Sequence, residues 1–183
     1  MTRRAASGRP EAGEFADYAA EDIARVAGDD AVAALETQRA TVVELFARLS
    51  DAAVAGRRYA PGKWTIKEVV GHLIDDERIF AYRVLRIARG DRTPLPGFDE
   101  ELFAANSGAE TRPLTDLLAE YGAVREATLA LLRALPTDAW ARRGEVNGYE
   151  ASVRGLAFHI AGHELRHLAA LRSHYRIEFL IAD

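Results

Sequence analysis

There is no cysteine anywhere in the 183 residues. Its absence excludes a disulfide scaffold, a thiolate metal site and a cysteine nucleophile, and it fits a reducing compartment, so a cytoplasmic protein is expected. Any metal has to be held by nitrogen and oxygen. Long apolar runs are missing too: none approaches the roughly 18 residues of a membrane-spanning helix. The opening MTRRAASGRPEAGEF has no apolar core between its arginines and a cleavage site. No membrane partner is expected. Nor is there an excess of positive charge, since 24 Lys+Arg stand against 28 Asp+Glu, mixed along the chain, for a net charge of −4. That balance argues against a nucleic-acid partner. β-branched runs are short, which leaves little from which to build a sheet.

What is present is alanine, leucine and arginine, with apolar residues recurring at three and four positions, the pattern of amphipathic helices. At 20.1 kDa the chain suits one domain. Residues 1–14, rich in Gly, Arg, Glu and Ala, read as a flexible leader, and 15–183 as the domain. A first long helix is expected from Asp30 to Ala55, with Val32, Leu35, Val42 or Val43, Phe46 and Leu49 as its stripe. Thr65-Ile-Lys-Glu68 has the form of a capping box and opens a second helix reaching about Gly90. Residues 91–113 hold three of the six prolines and read as a long crossover, with room for a short helix at Asp99–Ala105. A third helix runs from Leu114 to Leu135 and Pro136 stops it, with one more turn at Thr137–Arg142. Gly144–Glu150 reads as a polar loop, and Ser152 caps a fourth helix ending near Tyr175. An all-α fold follows, a four-helix bundle with one long crossover connection.

Within that frame the histidines carry the chemistry. His159, His163 and His167 recur every four residues, and His72 lies far upstream in the second helix. Residues i and i+4 of a helix sit about 40° apart around the axis and about 6 Å apart along it, so His163 and His167 can address one ion. His159 and His167 are about 12 Å apart along the axis, too far for both to reach a centre at about 2.1 Å. His159 is therefore a further candidate, as a proton shuttle or a core residue, and His72 is the available third ligand if the second and fourth helices face each other. Such a triad leaves positions open, as catalytic zinc sites do. Asp75 and Asp76 follow His72 at i+3 and i+4 and are candidates to orient an imidazole or act as a base, although surface pairing with arginines is the plainer reading. Trp64, Tyr82, Phe98, Phe103 and Asn106 are candidates for a pocket wall, while Arg83 and Arg86 could bind a carboxylated substrate but read first as helix-face charges. His174 reads as a C-terminal helix charge.

The segments KWTIKEVVGHLIDDERIFAYR and AGHELRHLAAL resemble the DinB/YfiT-like superfamily, and the resemblance spans residues 30–175. It implies an antiparallel four-helix bundle, commonly a homodimer, holding a divalent metal ion (zinc, nickel or iron) through His72, His163 and His167. Members include enzymes that use low-molecular-weight thiols, such as thiol S-transferases and a mycothiol-dependent maleylpyruvate isomerase. The resemblance thus implies a metal centre that activates a thiol for S-transfer or isomerisation of a small-molecule substrate. A metal-dependent hydrolase, or a non-catalytic metal-binding, stress-response dimerisation module, is the alternative. Fold alone does not decide among these.

Overall fold

The computed structural model describes residues 7–46 and 49–177. A 3-10 turn at Asp17–Ala19 leads into a short helix, α1 (Ala20–Ala24). Then come α2 (Ala31–Phe46), α3 (Asp51–Val54), α4 (Ile66–Ala88), α5 (Glu100–Asn106) and α6 (Leu114–Arg133). A hairpin of β1 (Arg143–Val146) and β2 (Tyr149–Ser152) precedes α7 (Val153–Ser173). The four long helices α2, α4, α6 and α7 form the bundle, with α4 and α2 each packed against both α6 and α7.

Contacts fix their directions. His72 meets His163 and His167, while Phe80, two turns on, stacks on His159, so α4 and α7 run antiparallel. Glu36 pairs with Arg133 and Arg39 with Glu126, so α2 and α6 are antiparallel as well. Lys67 reaches the carbonyl of Arg112 and Arg125 reaches Glu77, so α6 runs the same way as α4. Two parallel neighbours cannot be joined by a tight turn, and residues 91–113 provide the crossover.

Several elements start where local chemistry dictates. Thr65 caps α4 by accepting from Glu68 N at 3.1 Å while the Glu68 carboxylate accepts from Thr65 N at 2.6 Å. Ser152 accepts from Gly155 N at 2.9 Å and opens α7. The single helix expected over Asp30–Ala55 is instead two, because Ser50, extended and accepting from Ala53 N, starts a helix of its own. Val43 faces out and Val42 in. The loop expected at Gly144–Glu150 is a hairpin turning at Asn147-Gly148, both with positive φ, the pair that suits a two-residue turn. Its Val146 also bridges to Leu95, docking the crossover on the hairpin.

Residues 7–14, expected within a flexible leader, are tied to the body. Arg9 donates to the carbonyls of Ile23, Val26 and Gly28, and Glu14 pairs with Arg154. Two glycines of α7 allow this close approach: a Cβ on Gly155 would lie 2.1 Å from Glu14 O, and one on Gly162 2.2 Å from Asp22 O. No helix among the described residues is long and apolar enough to cross a membrane.

The buried apolar residues form two clusters. In all four long helices the same polar layer separates them: Gln38 on α2, Asp76 and Glu77 on α4, Arg125 and Thr128 on α6, His163 and Glu164 on α7. Within it the Arg125 guanidinium donates to Glu77 at 2.9 and 3.0 Å, to Glu164 at 2.7 Å and to Leu35 O at 3.1 Å. Tyr121 donates to Glu164 at 2.7 Å. Each member of the Glu77–Arg125–Glu164 bridge is buried, so it crosses the core and locks three helices in register.

Candidate metal centre

Asp76 and His163 sit one residue before Glu77 and Glu164 on their helices. The ionic layer that registers α4 on α7 therefore also aligns the histidines. His72 Nε2 lies 3.1 Å from His163 Nε2, and His167 Nε2 lies 3.2 Å from the same atom. One ring nitrogen from each of the three falls within 4.8 Å of the others. His159 stays outside this group. Its ring stacks on Phe80 with centroids 3.8 Å apart, and its Nε2 points to Asp76 Oδ2 at 3.8 Å.

The two candidate carboxylates part company. Asp76 is buried, with Oδ2 3.4 Å from His163 Nδ1. This contact puts the His163 proton on Nδ1 and leaves Nε2 free to face the other rings. Burial opposes ionisation of Asp76, but His163 and His159 beside it prevail and hold its carboxyl well below the usual range. Asp75 turns instead to Arg78, whose guanidinium also meets Glu120 at 2.6 Å on the surface. Burial raises the Asp75 pKa.

The imidazoles are driven neutral. Burial, reinforced by His159, His72 and Arg166, pushes His163 down to about 3 against the opposing pull of Asp76. Burial and the neighbouring His163 push His167 down to about 2, and burial lowers His72 as well. Unfolded imidazoles protonate near 6.5, so between that value and the folded ones the unfolded chain binds more protons. The metal-free protein should thus keep its full histidine-derived stability above about pH 6.5 and lose it as pH falls toward 3, by roughly 1 kcal/mol per histidine per pH unit. Urea midpoints measured at pH 7, 5.5 and 4.5 after chelation should fall steadily; a flat midpoint would show that these rings are not held neutral by the fold.

Two cavities flank the cluster. The larger, about 710 Å³, is walled by Tyr18, Asp76, Phe80, Arg83, Phe98, Asn147, His159 and His163. The smaller, about 290 Å³, lies on the His167 side, between Tyr59, Trp64, His174 and Tyr175. Glu100, Glu101 and Arg166 border both. Trp64 roofs the histidines, 4.7 Å from the His72 ring and stacked 6.4 Å from His167, with its indole N–H donated to Glu101. Glu100, 57 % exposed, reaches within 4.0 Å of His72 Nε2.

Of the expected wall residues, Trp64 and Phe98 line a cavity. Phe103 packs on Phe98 from outside, Asn106 bonds back to Leu102 O, and Tyr82 lies with Arg86 on the opposite face of α4. Arg86 is the surface charge expected, paired with Asp91. Arg83 is not: it is 3 % exposed, because it falls on the inward stripe of Phe80, Val84 and Ile87. That spacing was readable in advance. Tyr18, Glu21 and Asp22 reach the cavity from the N-terminal segment, which no motif flagged.

The fold is similar to that of YfiT from Bacillus subtilis, described as a probable metal-dependent hydrolase with an unusual four-helix bundle topology. The TM-score is 0.70 at 21 % identity, covering 80 % of this chain and 84 % of that one. No curated protein matches the chain. The sequence model of the DinB superfamily matches residues 3–171, and the chain belongs to that superfamily.

Proposed function

We propose that this chain is a metal-dependent enzyme in which His72, His163 and His167 hold a divalent ion and the substrate is a small molecule. The observation that carries the reading is the convergence of three neutral imidazoles, His72 and His163 buried and His167 half-buried, whose ring nitrogens lie within 4.8 Å of one another. Lone pairs brought this close repel unless a cation or shared protons lie between them. The spacing also fits: two nitrogens at about 2.1 Å from one zinc lie about 3.0–3.4 Å apart, against 3.1 and 3.2 Å here. Imidazole donors favour zinc, nickel or iron over calcium or magnesium.

A divalent ion bound there would supply Lewis acidity, lowering the pKa of a water or a thiol that shares the site. The protein's residues do the rest. Asp76 fixes the His163 tautomer, and Trp64 shields the His72 and His167 rings from bulk water. His159 and Asp76, on the larger cavity, form a pair able to hold a proton beside a reacting group. With no cysteine in the chain, a thiolate nucleophile would have to come from outside it.

Two nucleophiles suit this site. A low-molecular-weight thiol is supported by the resemblance of both histidine segments to thiol-using enzymes. Water is supported by the description of YfiT. Metal-loaded, tag-free protein should be offered bacillithiol, mycothiol or glutathione with 1-chloro-2,4-dinitrobenzene, and separately p-nitrophenyl esters. Turnover in one set, abolished by chelation and restored by metal, identifies the nucleophile. No turnover in either, with metal bound, would favour a non-catalytic metal-binding module.

A further inference from the structure

Three cationic side chains are buried among the described residues: Lys67, Arg83 and Arg125. Lys67 meets Asp51 at 2.8 Å, and Arg125 meets Glu77 and Glu164. Arg83 meets no carboxylate among the described residues. Its one hydrogen bond there is from Nη2 to Pro96 O at 2.8 Å, and its guanidinium lies over the rings of Phe80 and Phe98, at 4.6 and 5.8 Å.

Withdrawing a cation from water without an ion-pair partner is costly to the fold. Burial lowers the Arg83 pKa against the opposing pull of Tyr149, Tyr18 and Asp76. Nor are its spare donors sealed in protein, because Gln38 Oε1 is the sole fully buried side-chain polar atom without a partner among the described residues. The remaining N–H groups open on the larger cavity, whose wall also carries His163. Pro96 O and the two rings hold the guanidinium in place. The hairpin braces the loop that supplies Pro96 and Phe98, with Asn147 N donating to Leu95 O at 2.8 Å.

We infer that Arg83 is the receptor for a carboxylate group of the substrate, bound in the larger cavity with its reacting end toward His163. This deepens the proposed function, since it takes that cavity as the substrate site. The planar guanidinium fork matches a carboxylate in two parallel hydrogen bonds. A phosphate dianion fits poorly. The other arginine there, Arg166, is engaged by Asp22 at 3.0 Å, and Glu21, Asp99, Glu100 and Glu101 line the same cavity and repel a second negative charge. Tyr18 and Asn147 offer neutral donors on the same wall.

The test uses protein stripped by a chelator and desalted, so that no metal contributes to anion binding. The probes are 4-phenylbutyrate, its neutral amide and phenyl phosphate, titrated by calorimetry and by proton–nitrogen NMR. Wild type should bind the carboxylate, and Arg83→Gln should weaken it at least tenfold. Arg83→Lys, which keeps the charge and loses the fork, should fall between them, and the amide should bind wild type no better than the carboxylate binds Arg83→Gln. Melting curves of both variants establish that they fold, and Arg83→Lys carries the test if Arg83→Gln does not. Equal binding by wild type and variants, equal binding of acid and amide, tighter binding of phenyl phosphate, or no binding of any probe would each overturn the assignment. Metal loading of the wild type separates the two readings: carboxylate binding that depends on Arg83 in wild-type protein that takes up no divalent ion would sink the proposed enzyme and leave this site standing.

Discussion

Tag-free protein carrying His163→Ala or His72→Ala is expected to lose metal loading, with affinity lowered by more than a hundredfold in each case. Both atoms belong to the cluster of three Nε2 groups, with His163 at its centre, 3.1 Å from His72 and 3.2 Å from His167. Removing one leaves two imidazoles, and the carboxylate that reaches His72, that of Glu100, is exposed. Two graded controls sharpen the expectation. Asp76→Asn keeps the three ligands and removes only the charge that orients His163, so it should cost about 10–100-fold, the usual effect of an outer-shell partner. His159→Ala removes no ligand, only a ring that stacks on His163 and faces Asp76, and should leave stoichiometry unchanged. The measurement is metal per chain by mass spectrometry after dialysis against a buffered ion, with circular dichroism to show that each variant remains helical. Full loading of both His72→Ala and His163→Ala would overturn the triad.

The second large effect concerns stability. Arg125→Met should destabilise the fold by about 3–5 kcal/mol, since it strands two buried carboxyl groups that one guanidinium now bridges. For a chain of this size each kcal/mol moves the melting temperature by roughly 2–4 °C, which gives a drop readable by calorimetry. Adding Glu77→Gln and Glu164→Gln removes the stranded charge and should recover much of the loss. If the triple variant is no more stable than Arg125→Met alone, the loss comes from packing around the arginine and not from unpaired charge. Because Glu77 and Glu164 adjoin Asp76 and His163 on their helices, Arg125→Met should also weaken metal binding without touching a histidine.

How much of this was legible beforehand depended on how local the cause is. The capping box at Thr65 and the serine cap at Ser152 are decided within four residues, and both appear where the sequence places them. The hairpin was overlooked because two strands of four residues give too little alternation to notice, although Asn147-Gly148 is itself a turn signature. The break between α2 and α3 turns on Ser50, a capping residue lying inside an apolar pattern that reads as continuous. Arg83 was misread because charge was given more weight than helical spacing, which puts it on the inward stripe.

By itself the sequence determined the helical class, the long crossover and the exclusion of any protein thiolate. It also limited any ion to two of the three histidines of α7, because helix rise is fixed at about 1.5 Å per residue. Only the tertiary structure decided that His72 lies beside them, that Asp76 and not Asp75 faces the cluster, and that Arg83 is buried with no ion-pair partner among the described residues. Those outcomes depend on the register between helices. Here that register follows from a buried Glu77–Arg125–Glu164 bridge whose members are 39 and 48 residues apart in pairs, and no local pattern in the chain encodes such a contact.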